Sequence, residues 1–240
     1  MKEVCLIGFG KWGRKVFSSL NKINIISKIH LKKSRFDKND IDYSNLDWVI
    51  ITTNVDQHYG LVKKYLKKKI NVFCEKPLTN SVEKDKELIL LSKKMRTKLY
   101  ISDIENYKIK NLEIIKENFI SRSKFSSNKK NILSRLVYHD FTYIYDKILN
   151  KRLQKIKILI NKKGQLSFVA IIDNKKFFFN YNLNQKKNVH SFNKKNLKTK
   201  KNVLKDMLTD VISEKANFKK NIKISIFANT MINKINDYLN

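Results

Sequence analysis

Short apolar runs alternate with amphipathic segments over the first hundred residues. The runs have the length of strands, and their continuous apolar character is typical of parallel strands buried on both faces; they cover residues 4–7, 23–31, 47–54, 70–74 and 98–102. Apolar residues at helical spacing lie between them, over residues 14–20, 58–69 and 81–95. This alternation predicts a doubly wound α/β domain over residues 1–102, with one parallel sheet covered on both faces.

The pattern changes after residue 102, where strand-like runs begin to follow one another directly. We predict helices over 112–120, 132–149, 203–214 and 222–239, strands over 156–160, 166–172 and 176–181, and loops over 121–130 and 185–201. Asp173-Asn174 separates two of these strands, and both residue types tolerate the positive φ of a hairpin turn. Residues 103–240 are therefore predicted to form a second, α+β domain with an antiparallel sheet.

A glycine-rich turn follows the first strand. The chain has only five glycines, and Gly8, Gly10 and Gly13 have the spacing G-x-G-x-x-G between a strand and a helix. In that context the first glycine allows a tight turn, the second lets a pyrophosphate approach the backbone, and the third lets helix and strand pack closely. The helix N-terminus adds free N–H groups for the phosphates. We therefore expect a dinucleotide site here; the alternative is a glycine turn that binds nothing.

Charge, apolar runs and cysteine spacing exclude several classes of function. The net charge of +31 suggests nucleic acid, but the lysines are spread along the whole chain and no RNA-binding signature is visible, so we expect no specific nucleic-acid partner. No apolar run is long enough for a membrane span, and the N-terminus lacks a signal-peptide pattern. Cys5 and Cys74 show neither metal-ligand spacing nor a disulfide framework. These features favour a cytoplasmic protein without a bound metal.

The end of the second predicted strand bears on the choice between NAD and NADP. Dinucleotide folds usually place an acidic residue there to bind the ribose hydroxyls. This chain has Lys32-Lys33-Ser34-Arg35 instead, with no acidic residue before Asp37. Lys33, Ser34 and Arg35 suit the 2′-phosphate of NADP, which we weakly favour over NAD. A solvated basic loop in a lysine-rich chain is an equally good interpretation.

Four blocks of residues, in this order, carry a resemblance to the Gfo/Idh/MocA oxidoreductases, the family of glucose-fructose oxidoreductase and inositol 2-dehydrogenase. They are Gly8-Phe9-Gly10-Lys11-Trp12-Gly13, Ile51-Thr52-Thr53-Asn54 with His58, Cys74-Glu75-Lys76-Pro77-Leu78, and His139-Asp140. The block that contains Pro77, the only proline of the chain, is the most specific. The chain is short for this family. The resemblance implies a Rossmann domain that binds NAD or NADP and a second domain that binds a sugar, sugar acid or nucleotide sugar.

The resemblance also assigns roles by position. It implies cofactor contacts from the glycine turn, from Thr53, Asn54 and His58 at the end of the third strand, and from Glu75 and Lys76. Lys76 and His139 correspond to the catalytic lysine and histidine. The family often has an acidic residue four positions before that histidine, where this chain has Arg135. We expect Arg135 and Asp140 to contact the substrate, with Arg135 favouring one that bears a carboxylate or phosphate.

Hydride transfer at a carbinol carbon also requires a proton to move at the oxygen, and Lys76 and His139 are suited to that task. The alternatives are a surface lysine for Lys76, a core or capping histidine for His139, and a residue at a helix start for His58. The leading prediction is an NAD(P)-dependent oxidoreductase. A cofactor-binding protein of the same fold that has lost catalysis is the alternative. The resemblance further implies association of copies through the outer face of the second sheet.

Overall fold

The computed structural model describes residues 1–33, 42–108, 112–197 and 202–239, which form two compact units. The first unit comprises Met1–Tyr107 and Lys201–Ile226, and the second comprises Lys108–Lys200 and Phe227–Asn240. The sequence-based boundary at residue 102 therefore lies five residues before the end of the first segment. Residues 201–226 return to the first unit, whereas the sequence analysis placed them in the second domain.

The helices are, in chain order, α1 (Lys11–Leu20), α2 (Val55–Lys67), α3 (Val82–Lys94), α4 (Ile104–Lys108), α5 (Tyr138–Ile144), α6 (Val203–Ile212) and α7 (Phe218–Asp237). Helix α5 is preceded by a π-helical turn, Leu133–Val137, and followed by a 3₁₀ turn, Tyr145–Lys147. The helix that we predicted over 132–149 is thus present, with a changed hydrogen-bond pattern at both of its ends.

The first unit contains the predicted parallel sheet. Its strands are β1 (Lys2–Ile7), β2 (Ile26–Lys32), β3 (Trp48–Ile51), β4 (Asn71–Cys74) and β5 (Leu99–Ile101), in the order β2-β1-β3-β4-β5. Every pairing in this sheet is parallel. Apolar residues of α2 and α3 pack on one face, and those of α1 and α6 pack on the other. The doubly wound fold that the apolar runs predicted is confirmed.

The second unit contains a six-stranded sheet. Its strands are β6 (Glu117–Ser123), β7 (Leu153–Lys162), β8 (Gln165–Ile172), β9 (Lys175–Asn182), β10 (Val189–Phe192) and β11 (Lys195–Asn196), in the order β11-β10-β6-β9-β8-β7. All neighbours are antiparallel except β6 and β9. Asp173 and Asn174 form the predicted hairpin turn, each with φ +56°. The α+β architecture with a largely antiparallel sheet is confirmed.

Two local predictions in the second unit were wrong. The helix predicted over 112–120 is irregular backbone leading into β6, and the loop predicted over 185–201 contains β10 and β11. The buried aromatic side chains of β8 and β9 form the core with α5 and with the second half of α7. Within the described residues, no helix is long and apolar enough to cross a membrane.

Candidate active site

The candidate site lies where the strand order of the first sheet reverses. Strand β1 pairs with β2 on one side and with β3 on the other, so the helices that follow β1 and β3 lie on opposite faces. Such a switch point leaves a crevice at the carboxyl ends of the strands, where open α/β sheets bind ligands. Gly8 follows β1 at this edge, and Thr52 follows β3; the Thr52 hydroxyl donates a hydrogen bond to the Gly8 carbonyl, at 2.8 Å.

The three glycines of the turn meet different constraints. Gly8 has φ +95°, which L side chains rarely adopt. A Cβ on Gly13 would lie 2.1 Å from the Gly8 carbonyl oxygen, so helix α1 can approach the strand this closely only with glycine there. A Cβ on Gly10 would meet nothing within 4 Å. Open space above Gly10 is the feature that a phosphate needs, so the residues of the turn fit a dinucleotide.

The start of α1 is suited to an anion. Gly10 is its N-cap and supplies no side-chain cap, and the first turn contains no acidic residue. The exposed N–H groups and the positive end of the helix dipole therefore point to the same open space. Lys11 is exposed at this end, whereas the Phe9 ring packs edge-on against Phe17, with 5.6 Å between centroids. Phe9 and Lys11 thus lie at the turn, and their contact with a cofactor stays a prediction.

The segment after β4 is held to both neighbouring strands. The Glu75 N–H donates to the Ile51 carbonyl at 2.9 Å, and the Ser102 N–H donates to the Cys74 carbonyl at 2.8 Å. The Lys76-Pro77 peptide bond is cis. Burial raises the pKa of the Cys74 thiol well above its ordinary value, with Glu75 adding to the effect, so Cys74 is a neutral core residue. Backbone hydrogen bonds thus place Glu75 and Lys76 at the carboxyl edge of the sheet, close to β3.

Two side chains from outside this segment also hold it. The Trp12 indole N–H donates to Glu75 Oε1 at 2.7 Å, which links the glycine turn to the end of β4. His58 is buried, with Nδ1 3.0 Å from the Pro77 carbonyl oxygen and Nε2 3.0 Å from the Thr53 carbonyl oxygen. Carbonyl oxygens only accept, so the imidazole donates a hydrogen bond to a carbonyl from whichever ring nitrogen carries the proton. Neither contact was foreseen from the sequence.

The other predicted cofactor residues of the first unit are placed as follows. Thr53 lies directly after Thr52, with its methyl group against the turn at Gly8, and Asn54 is the N-cap of α2. Lys33 is exposed just beyond β2. Ser34 and Arg35 lie outside the described residues. The structure thus brings the glycine turn, Trp12, Thr53, Asn54, Glu75 and Lys76 to one edge of the sheet.

His139 and Arg135 belong to the second unit. His139 is half-buried in the first turn of α5, and its carbonyl accepts a hydrogen bond from the Thr142 hydroxyl. Arg135 lies in the π-helical turn, where its guanidinium donates to the Asn128 carbonyl and to the Ser126 hydroxyl. These hydrogen bonds hold the loop of residues 126–130 against the π-helical turn. Its predicted contact with a substrate anion stays a prediction.

Asp140 lies at the centre of a buried polar cluster. Its carboxylate is fully buried and accepts hydrogen bonds from Arg122 Nε at 2.7 Å and from the Tyr181 hydroxyl at 2.8 Å. His190 Nε2 lies 3.4 Å from the same carboxylate. Burial, and then the Asp140 charge, raises the pKa of Tyr181 well above its ordinary value, so its phenol remains a donor. This geometry favours a structural role for Asp140 over the predicted contact with substrate.

Comparison with known proteins identifies the architecture. Residues 34–102 match the model of the Gfo/Idh/MocA family, described as an oxidoreductase family with an NAD-binding Rossmann fold. This segment includes His58, Glu75 and Lys76 but not the glycine turn. No curated protein matches the chain.

Solved structures share the fold across almost the whole chain. UDP-N-acetylglucosamine 3-dehydrogenase GnnA from Acidithiobacillus ferrooxidans has a TM-score of 0.80 at 10% identity, over 97% of this chain and 95% of its own. The WlbA (WbpB) dehydrogenase from Thermus thermophilus, in complex with NAD and UDP-GlcNAcA, has a TM-score of 0.77 at 9% identity, over 97% and 94%.

A putative myo-inositol dehydrogenase from Sinorhizobium meliloti has a TM-score of 0.72 at 13% identity, over 97% of this chain and 95% of its own. The chain spans nearly the full length of all three neighbours, so the shortening expected from the sequence is not visible against them. Over residues 34–102 the family model supports the predicted resemblance to the Gfo/Idh/MocA oxidoreductases. The solved structures show that the fold is shared over almost the whole chain.

Proposed function

We propose that this protein is a dehydrogenase that transfers a hydride between a nicotinamide dinucleotide and the hydroxyl-bearing carbon of a sugar-type substrate. The observation that carries the proposal is the convergence, at one switch point, of an open glycine turn and the Glu75-Lys76 segment. The family is one of NAD-binding oxidoreductases, and structural neighbours carry the names of sugar-nucleotide and inositol dehydrogenases.

Different residues of the first unit would bind or position different parts of the cofactor. The backbone of the turn from Gly8 to Gly13 and the N-terminus of α1 would hold the pyrophosphate. Thr53 and Asn54 would line the crevice at the end of β3. We assign His58 to positioning rather than to direct contact, because both of its ring nitrogens face carbonyl oxygens of the protein.

The nicotinamide group, when bound, supplies the hydride chemistry, and the protein must move one proton at the substrate oxygen. We propose that Lys76 transfers that proton. Hydrogen bonds to the ends of β3 and β5 fix the backbone just before Lys76, and the proline after it restricts its conformation. We propose His139 as a second acid or base, on the resemblance and on its half-buried place at the start of α5.

The choice between NAD and NADP depends on the end of β2. Lys32 and Lys33 bring positive charge there without an acidic residue, so we propose a weak preference for NADP. One charge-assisted phosphate contact contributes about 1.5–3 kcal/mol, hence roughly tenfold or more in affinity. Titrations of NADH and NADPH at the same ionic strength measure the ratio directly, and equal dissociation constants would refute the preference.

Turnover after substitution of Lys76 tests the proposed chemistry. A set of sugars, sugar acids and nucleotide sugars is first assayed with both cofactors by absorbance of the reduced nicotinamide. Lys76→Ala should then lower kcat by about a hundredfold or more, since it removes a proton-transfer group, while cofactor affinity changes little. Lys69→Ala, an exposed lysine after α2, is the matched control and should retain the wild-type rate.

Two outcomes would separate this proposal from its alternative. Full turnover in Lys76→Ala would overturn the role of that residue. Tight cofactor binding without turnover on any substrate of the set would favour a cofactor-binding protein that has lost catalysis.

Copies should associate through the outer face of the second sheet, where the half-exposed Phe119 ring stacks on Phe178 with 4.6 Å between the ring centroids. Sedimentation of the wild type against Phe119→Lys measures that association.

A further inference from the structure

The hydrogen bond between Trp12 and Glu75 joins two motifs that are 63 residues apart in the sequence. Trp12 lies in the first turn of α1, after β1, and Glu75 follows β4. Strand β3 lies between β1 and β4 in the sheet. Neighbouring strands are about 4.8 Å apart, so the two attachment points are separated by roughly 10 Å. The indole therefore reaches across the carboxyl end of β3.

The Glu75 carboxylate has a defined orientation as a result. Its Oε1 accepts the indole N–H at 2.7 Å. Its Oε2 lies 3.4 Å from the backbone nitrogen of Lys76. Without the indole, the side-chain torsions of Glu75 would lose this restraint, and the carboxylate could turn towards the ammonium group of the neighbouring lysine or towards the glycine turn.

We propose that Trp12 is a positioning residue, which holds the Glu75 carboxylate so that Lys76 meets a constant electrostatic environment at the reacting edge. This inference rests on the proposed function and deepens it. It assigns to Trp12, which the sequence motif groups with the phosphate turn, a role in turnover rather than in phosphate binding. The contact belongs wholly to the first unit, and both partners are half-buried.

The chain offers a direct spectroscopic test, because Trp12 and Trp48 are its only tryptophans. Trp48 is buried, and its indole nitrogen has no hydrogen-bond partner among the described residues. In ¹H–¹⁵N spectra of the full chain without cofactor, Trp12→Phe identifies the Trp12 indole resonance. Glu75→Ala should then move that resonance upfield and leave the Trp48 resonance in place. An unmoved Trp12 resonance would overturn the contact.

Kinetics test the positioning role separately. Trp12→Phe keeps a ring but loses the N–H, so kcat should fall by about tenfold or more, while the dissociation constant of NADH changes by less than about threefold. Glu75→Gln keeps an acceptor without the charge, so its kcat should fall less than that of Glu75→Ala. Lys15→Ala removes the cation 5.9 Å from the Trp12 ring centroid and keeps the N–H. It should retain the wild-type kcat within about twofold.

The double variant decides whether the two residues act as a unit. Trp12→Phe combined with Glu75→Ala should lose little beyond the slower single variant, because the second change removes a partner that is already gone. Losses that multiply, or a Trp12→Phe loss confined to NADH affinity, would overturn the positioning role. A wild-type chain that neither binds NADH nor turns over would instead refute the proposed function, and the resonance shift would still report on the contact.

Discussion

Polar side chains are buried in two different ways in the two units. Around Asp140, the buried carboxylate accepts hydrogen bonds from the Arg122 guanidinium and the Tyr181 hydroxyl. At the edge of the first sheet, Trp12 and His58 fix backbone and carboxylate groups beside an open glycine turn. A buried ion pair between side chains of the protein stabilises the fold, whereas fixed groups next to open backbone are suited to a ligand. Substitutions should therefore affect stability in the first case and binding or turnover in the second.

The Asp140 cluster should show the largest effect on stability. Asp140→Ala leaves the Arg122 guanidinium buried without its carboxylate, and breaking such a pair typically costs about 3–5 kcal/mol. Glu117→Ala is the matched control, since Glu117 lies on the same strand as Arg122 and its ion pair with Lys176 is exposed. That change should cost less than about 1 kcal/mol. Denaturant unfolding measures both, and equal losses would contradict the comparison.

Alkaline pH should produce a smaller effect on stability through Cys5, which is buried in the first unit. Burial raises the pKa of Cys5 from 9.0 to about 11, with Lys32 opposing the shift. The folded chain therefore holds this proton more tightly than the unfolded chain. The resulting stability is complete below pH 9 and is lost as the pH rises through about 11. Cys5→Ala should remove this part of the loss in unfolding experiments; an unchanged pH profile would refute it.

The sequence predicted the first unit well for a physical reason. Parallel strands buried on both faces appear as continuous apolar runs, and only local spacing is needed to recognise the glycine turn. Strand β6 was missed because two of its buried residues, Asn118 and Arg122, are polar, which hides the alternation of a strand. Asn118 is buried there because its amide binds the backbone of Ile115 and Lys176.

The candidate site also has one part that the sequence predicted and another part that only the structure shows. The glycine turn and the Glu75-Lys76 segment are local motifs, so the sequence was sufficient to propose them. The hydrogen-bond partners of the other site residues are distant along the chain. Glu75 is 63 residues from Trp12, Pro77 is 19 from His58, and Tyr181 is 41 from Asp140. Such contacts depend on strand order and register. They changed our interpretation of His58 and Asp140 from ligand contacts to groups that hold the protein together.

The most direct test of the central claim is a titration of NADH and NADPH, by calorimetry, into wild type and Gly10→Val. The valine side chain would occupy the open space above Gly10, where the pyrophosphate is proposed to bind. Gly60→Ala, which also meets no atom within 4 Å, is the matched control. We predict binding to wild type and to Gly60→Ala, and its loss in a folded Gly10→Val. Equal affinity in all three proteins would contradict the account.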